Sequence, residues 1–193
     1  MGLQIAPLGR ANEKPATRKI SWSTKPTGVE TFFGDDEIIV SKTDLTGRIT
    51  YTNRTFMRIA GYSDTDLIGA PHSIIGHPDM PRGVFKLLWD TIAEGSEIFA
   101  YVVNMARNGD HYRVFAHVTP SFDESGAILG YHSNRRTPDR CALDGTIIPL
   151  YRVLLAEGSR HEDRKVGIAR SHAMLSELLE EKGVGYDELI FSL

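Results

Sequence analysis

The hydrophobic and polar positions divide the chain into short segments from Glu37 onward. Glu37-Ile38-Ile39-Val40-Ser41-Lys42-Thr43 is a β-branched run, broken by Asp44-Leu45-Thr46-Gly47 and resumed at Arg48-Ile49-Thr50-Tyr51-Thr52. Two such runs around a short polar turn predict a hairpin. Behind it Phe56, Ile59 and Ala60 fall at helical spacing, with Thr52 or Asn53 as the cap and Gly61 as the stop. Ser63-Asp64-Thr65-Asp66 has the form of a capping box and predicts a one-turn helix over Leu67 and Ile68, closed by Gly69. From Arg82 to Gly95 the apolar Phe85, Leu88, Trp89 and Ile92 recur every three to four residues, one face of a longer helix. Strand composition returns over Ile98 to Arg107, which carries Phe99, Tyr101 and Val103. Asn108-Gly109 follows, a hairpin signal that predicts positive φ at both residues. Another strand runs from Asp110 to Ser121 and ends near Pro120; after the turn Asp123-Glu124-Ser125-Gly126 a last one spans Ala127 to Arg135. Two strands, short helices and then three strands predict an α+β fold: a five-stranded antiparallel sheet with the helices on one face.

The ends read differently. Residues 1–34 mix Pro7, Pro15, Pro26 and scattered basic residues without periodicity and read as an extended arm, in which Trp22, Phe32 and Phe33 predict docking. The segment of strands and short helices occupies 35–138, and 139–193 reads as a helical hairpin and tail. Its first helix starts at Pro149 and stops at Gly158; Ser159-Arg160-His161-Glu162 predicts a capping box for the second, which carries Ile168, Leu175, Leu178 and Leu179 and stops at Gly183. The apolar end of the tail, Ile190-Phe191-Ser192-Leu193, suits docking.

Composition narrows the function. A chain of 193 residues with net charge -3 gives no electrostatic reason to bind nucleic acid or an anionic membrane surface. No apolar run reaches the roughly 18–20 residues of a membrane span, and the N-terminus lacks the basic-then-apolar order of a secretory signal. Cys141 is the only cysteine, which leaves no disulfide framework and no covalent c-type haem. A cytoplasmic protein is expected. Neither a phosphate-cradling glycine loop nor a nucleophile elbow occurs, so no enzymatic activity is expected.

The chemistry concentrates in Pro71-His72-Ser73-Ile74-Ile75-Gly76-His77-Pro78-Asp79-Met80-Pro81, a proline-stiffened polar loop feeding the apolar helix. Three phrases carry a resemblance. Asn53-Arg54-Thr55-Phe56 precedes Ala60-Gly61-Tyr62, His77-Pro78-Asp79-Met80-Pro81 runs into Phe85 and Trp89, and Asn108-Gly109-Asp110-His111-Tyr112 sits between strands. In this order they resemble PAS sensory domains of the bacterial aerotaxis-receptor type, over about Glu37 to Thr137. That resemblance implies FAD held without a covalent bond, with redox state as the signal. It places Asn53, His77, Asp79, Phe85, Trp89 and Asn104 at the flavin. Two positions depart from the family pattern: Gly76 stands where an arginine is expected, and Arg113 where relatives carry an aromatic residue. The resemblance also implies output by contact, with a second copy of the chain or a chemotaxis or other signalling protein as partner. Haem b on His72 or His77 is the alternative cofactor. A cofactor-free dimerisation or interaction module is the alternative function, in which Phe85, Leu88 and Trp89 are plain core. His111 and His117 share one strand face, but too few acidic partners converge on them to predict a metal site.

Overall fold

The computed structural model describes residues 24–193; Trp22 lies outside them. The elements run β1 (Ile39–Thr43), β2 (Ile49–Thr52), α1 (Arg54–Ala60), α2 (Asp64–Leu67), a 3-10 turn (His72–Ile75) and α3 (Arg82–Ala93). Then come β3 (Ile98–Met105), β4 (His111–Phe122), β5 (Ile128–Arg136), α4 (Arg140–Ala142), a π turn (Leu143–Ile147), α5 (Ile148–Ser159), α6 (Arg164–Lys182) and α7 (Tyr186–Phe191). The five strands form one sheet in the order β2-β1-β5-β4-β3, and every pairing between them is antiparallel. The fold is the α+β arrangement that the alternation of the sequence predicts.

Three hairpin turns share one construction. Gly47, Gly109 and Gly126 adopt φ of 75°, 94° and 84°. Their N–H groups donate to the carbonyls of Asp44, Ala106 and Asp123 at 3.0 Å each. Each is a four-residue turn with glycine in the left-handed position. The two-residue turn expected at Asn108-Gly109 is therefore not formed. Among the described residues no non-glycine residue has positive φ, and Asn108 instead accepts the Asp110 N–H through its side-chain oxygen at 3.0 Å. Pro120 does not end β4, which continues to Phe122. It lies past Val118, the last β4 residue paired to β3, so its missing N–H costs no ladder bond.

Asn53 is the cap of α1; Phe56, Ile59 and Ala60 are buried beneath it, and Gly61 closes the helix at φ 70°. The capping box at Ser63 forms with Asp66. Leu67 is buried, but Ile68, expected beside it, is exposed. On α3 the buried stripe is Val84, Leu88 and Ile92 together with Gly83; Phe85 is half-buried and Trp89 is 37% exposed.

The C-terminal segment turns helical at Arg140, nine residues before Pro149, with Asp139 accepting from the Ala142 N–H at 2.8 Å. The helix α5 passes through Gly158, because Gly158 and Gly167 of α6 touch backbone to backbone and leave no room for a Cβ on Gly167. Ser159 consequently ends α5, and the cap of α6 is Asp163, which accepts from the Lys165 N–H at 2.7 Å. The seam against α3 is equally close. A Cβ on Gly83 would lie 2.6 Å from the His172 nitrogen and 2.7 Å from the Ser171 carbonyl carbon. Of the expected α6 stripe only Leu175 is fully buried. The tail docks: Phe191 packs edge-on against Phe99 at 4.7 Å, and Asp187 accepts from the Phe99 N–H at 3.2 Å. The free edge of β3 is covered there.

At the other end the described part of the arm, residues 24–34, lies beside the start of β4, beyond the reach of β5. The His111 N–H donates to the Val29 carbonyl at 2.9 Å, and the Thr31 N–H donates to the His111 carbonyl at 2.7 Å. Phe33 packs on the core, whereas Phe32 stays exposed under the guanidinium of Arg140.

Candidate functional site

Cross-strand register fixes which side chains share the inner face, since residues opposite one another in a sheet point the same way. Asn104 opposes Tyr112, and Ala100 opposes Ala116. Ala116 in turn opposes Arg135, and Val118 opposes Ser133. Ser133 then opposes Ser41, and Tyr131 opposes Thr43. This face looks toward the helices: Arg135 lies over the ring of Phe56 at 5.3 Å, and Tyr131 meets Trp89 edge-on at 5.6 Å.

An inner face so rich in polar groups is unusual. Ser41, Thr43, Asn104, Ser133 and Arg135 are all buried, and the Tyr112 ring is fully enclosed. Buried polar atoms are almost always hydrogen-bonded, and an unmet one costs roughly 1–3 kcal/mol. Among the described residues, no partner is found for Asn104 Nδ2, Tyr112 Oη, Arg135 Nη1, Ser133 Oγ, Thr43 Oγ1 or His77 Nε2. Apolar neighbours stand beside them: Phe56, Val102, Val114 and Leu88. The combination suits a ligand that is flat and apolar in body and carries donors and acceptors along its edge.

The loop from Pro71 to Pro81 delivers His72 to this interior and buries His77 at the β3 edge. His72 opens the 3-10 turn and its Nε2 receives Arg135 Nη2 at 2.6 Å, with Ser41 Oγ at 3.1 Å. Burial, and then the positive charge of Arg135, push the His72 ring down to about 3, so it is neutral. His77 is buried; its Nδ1 accepts the Asp79 N–H at 3.1 Å, which directs Nε2 inward as the N–H tautomer. Gly76 pairs with Asn104 at the edge of β3, so the next side chain, His77, turns to the face opposite that asparagine. The Asp79 carboxylate stands 3.9 Å from His77 Nδ1 but is 71% exposed. Desolvation outweighs it, and the His77 pKa lies below the ordinary histidine value. His77 also faces His111 at a ring separation of 5.6 Å.

The six residues expected at the flavin separate accordingly. Asn104 sits at one end of the inner face; His77, one residue past the Gly76–Asn104 pair, turns to the opposite side of the β3 edge, against His111. Phe85 is half-buried on α3, and Trp89 lies at the opposite end over Gly47 and Tyr131. Asn53 uses its amide locally: its oxygen accepts from the Val40 and Phe56 N–H groups at 3.1 and 3.0 Å, and its nitrogen donates to the Ile38 carbonyl at 2.7 Å. Asp79 reaches solvent. Arg135, Tyr112, Ser41 and Ser133 belong to the inner face and escaped the sequence reading. The available signal was the two-residue period of the last strand, which puts Tyr131, Ser133 and Arg135 on one side. His111 and His117 do not converge: His117 stacks on Phe99 at 4.2 Å and bonds Glu97 at 2.7 Å.

Comparison with known proteins follows the same outline. A sequence profile for the PAS fold matches residues 49–134. The aerotaxis receptor of Escherichia coli (strain K12) is 39% identical over 132 residues, 67% of this chain and 25% of the receptor. The nitrogen fixation regulatory protein of Klebsiella pneumoniae is 28% identical over 99 residues, 51% of this chain and 20% of that protein. The chain thus spans a quarter or less of the length of these relatives. The light-state structure of the blue-light photoreceptor Aureochrome1 LOV superposes at a TM-score of 0.50 with 19% identity, over 59% of this chain and 90% of that one. That is a likeness of fold.

Proposed function

Since the chain carries a PAS domain of the aerotaxis-receptor type, we propose that it is a redox or oxygen-type signal sensor that holds FAD without a covalent bond and reports by protein contact. One observation carries the reading: buried, unpartnered polar atoms on the inner face of the sheet amid apolar side chains, Asn104 Nδ2, Tyr112 Oη, Ser133 Oγ and Arg135 Nη1. Such atoms are costly in a domain whose interior holds only its own side chains. A flavin edge offers a carbonyl or ring nitrogen to each of them. Asn104, Tyr112 and Arg135 would hold that edge, while Phe56, Phe85 and Val102 supply apolar surface. FAD, once bound, supplies the electron chemistry; the protein's part is to orient it, exclude water and set the charge around it.

The haem alternative loses one of its two candidate ligands, because His72 Nε2 is already engaged by Arg135 and Ser41. Signalling through contact, rather than catalysis, draws on α5 and α6 packed against α3, and a second copy of the chain or a chemotaxis-type protein is the proposed listener. No helix among the described residues is long and apolar enough to cross a membrane, and cytoplasmic action is part of the proposal. The test is the absorbance of freshly purified chain and its titration with FAD. Flavin bands that stay with the protein through desalting are the expected result. A Soret band, or protein that stays colourless in excess FAD, refutes it.

A further inference from the structure

We infer that Arg135 is the cationic contact for the ligand's electron-rich edge and biases a bound flavin toward its reduced, negatively charged form; this rests on the flavin reading above. Arginine in a strand interior ordinarily snorkels to solvent or meets a carboxylate. Arg135 does neither. It is 3% exposed, and the ion pairs among the described residues join other cations to carboxylates and leave this one out. Its Nη2 donates to Ser41 Oγ at 2.7 Å and to His72 Nε2 at 2.6 Å. Both acceptors are neutral, so they aim the guanidinium without cancelling its charge. Its plane rests over Phe56 at 5.3 Å, and Nη1 has no partner among the described residues.

Burial lowers the Arg135 pKa only to about 10, which leaves it charged at neutral pH. A fixed positive charge in a low-dielectric interior, with its free N–H groups on the ligand side, favours whichever ligand state is more negative there. Two-electron reduction of FAD by dithionite takes up two electrons and one proton, and leaves one negative charge on the isoalloxazine. Arg135 therefore binds the reduced form more tightly than the oxidised form. The same charge makes the apo-protein pay for an unpaired buried ion, which a ligand anion relieves.

The competing role is a strut that ties β5 to β1 and the 3-10 turn. The two roles part in the ligand-free protein. Ser41 and His72 also bond each other directly at 3.1 Å, a contact that does not pass through the guanidinium. Arg135→Met, which keeps length and apolar stem, should accordingly melt no lower than wild type without ligand. The experiment loads the full chain with FAD and measures midpoint potentials by dithionite titration for wild type, Arg135→Met and Arg135→Lys. Arg135→Met should reduce the preference for the reduced form at least tenfold, a fall of about 30 mV for a two-electron couple. Arg135→Lys, which keeps the charge, should stay nearer wild type. A loaded Arg135→Met at the wild-type potential overturns the inference alone, as does an Arg135→Met that is unfolded without ligand, since that makes the residue a strut. A wild-type chain that takes up no flavin overturns the flavin reading and this inference with it.

Discussion

Nε2 of His72 lies 2.6 Å from Nη2 of Arg135, and the guanidinium is a donor only, so that ring nitrogen must be the bare acceptor. Protonating it would set two positive groups face to face in a dry interior. Burial, and then the Arg135 charge, lower the His72 pKa from 6.5 to about 3. Above pH 6.5 the ring is neutral in the folded and unfolded chains alike, and the full stability is present. Between 6.5 and 3 only the unfolded chain takes the proton, so stability falls as pH falls, by about 1.4 kcal/mol per unit of the gap traversed. The depressed pKa values of His77, His111 and His172 act in the same direction. Denaturant midpoints measured from pH 7 to pH 4 should fall steadily, and His72→Gln, which keeps an acceptor but cannot titrate, should flatten the slope. Parallel profiles for the two proteins would remove His72 as its source.

Asn53 and Asn104 should answer substitution in opposite ways. Asn53 caps α1 and ties its start to β1. Asn53→Ala should cost about 1–2 kcal/mol of stability and weaken any ligand only through the fold. Asn104→Leu removes a buried amide whose nitrogen has no partner among the described residues, so apo stability should hold or rise while FAD affinity drops at least tenfold. Thermal melts with and without FAD separate the two behaviours.

Gly83→Ala should loosen the C-terminal helices selectively. The new methyl meets the backbone of Ser171 and His172 on α6, which cannot yield as a side-chain tip can. Overpacking of this kind costs roughly 1–3 kcal/mol. Hydrogen exchange should speed up across 164–182 and stay unchanged in β3 to β5; uniform change across the chain would refute a local seam.

Glu30 should govern the arm. Its carboxylate takes Arg140 through both guanidinium nitrogens, at 2.7 and 3.3 Å, with Arg113 at 3.8 Å and His111 at 3.9 Å. Glu30→Gln keeps the shape and removes the charge, and should cost about 1 kcal/mol. The Thr31 amide, bonded to the His111 carbonyl, should then exchange faster. Unaltered exchange at Thr31 would show that backbone pairing alone seats the arm.

The strands and short helices were legible because each announces itself locally, through alternation in β4, a cap at Asn53 and a box at Ser63. What the sequence hid depends on pairing. Asn108 looked like half of a two-residue turn, but the loop is closed by Ala106 and Asp110 and needs only Gly109 in the left-handed region. Gly158 looked like a helix stop, and only the approach of Gly167 explains why it sits inside a helix. Two of the polar residues assigned to the site, Asn53 and Asp79, lie in the right phrases, yet one is absorbed by backbone capping and the other faces water. Arg135 was hidden by its charge: at the end of a strand it reads as rim, and its burial follows only from the acceptors that Ser41 and His72 bring to it.

The sheet order β2-β1-β5-β4-β3 has a consequence for assembly on the ribosome. Because β1 lies between its sequence neighbour and the last strand, Ser41 and His72 wait for a residue 94 and 63 positions downstream. The first hairpin and its helices can emerge and gather around Phe56 with no charge buried among them. The guanidinium arrives late, carried by the strand that closes the sheet. The one buried charge among the described residues is therefore gained in one step at the end of domain synthesis, and a nascent chain halted after β4 would hold a half-built interior without it.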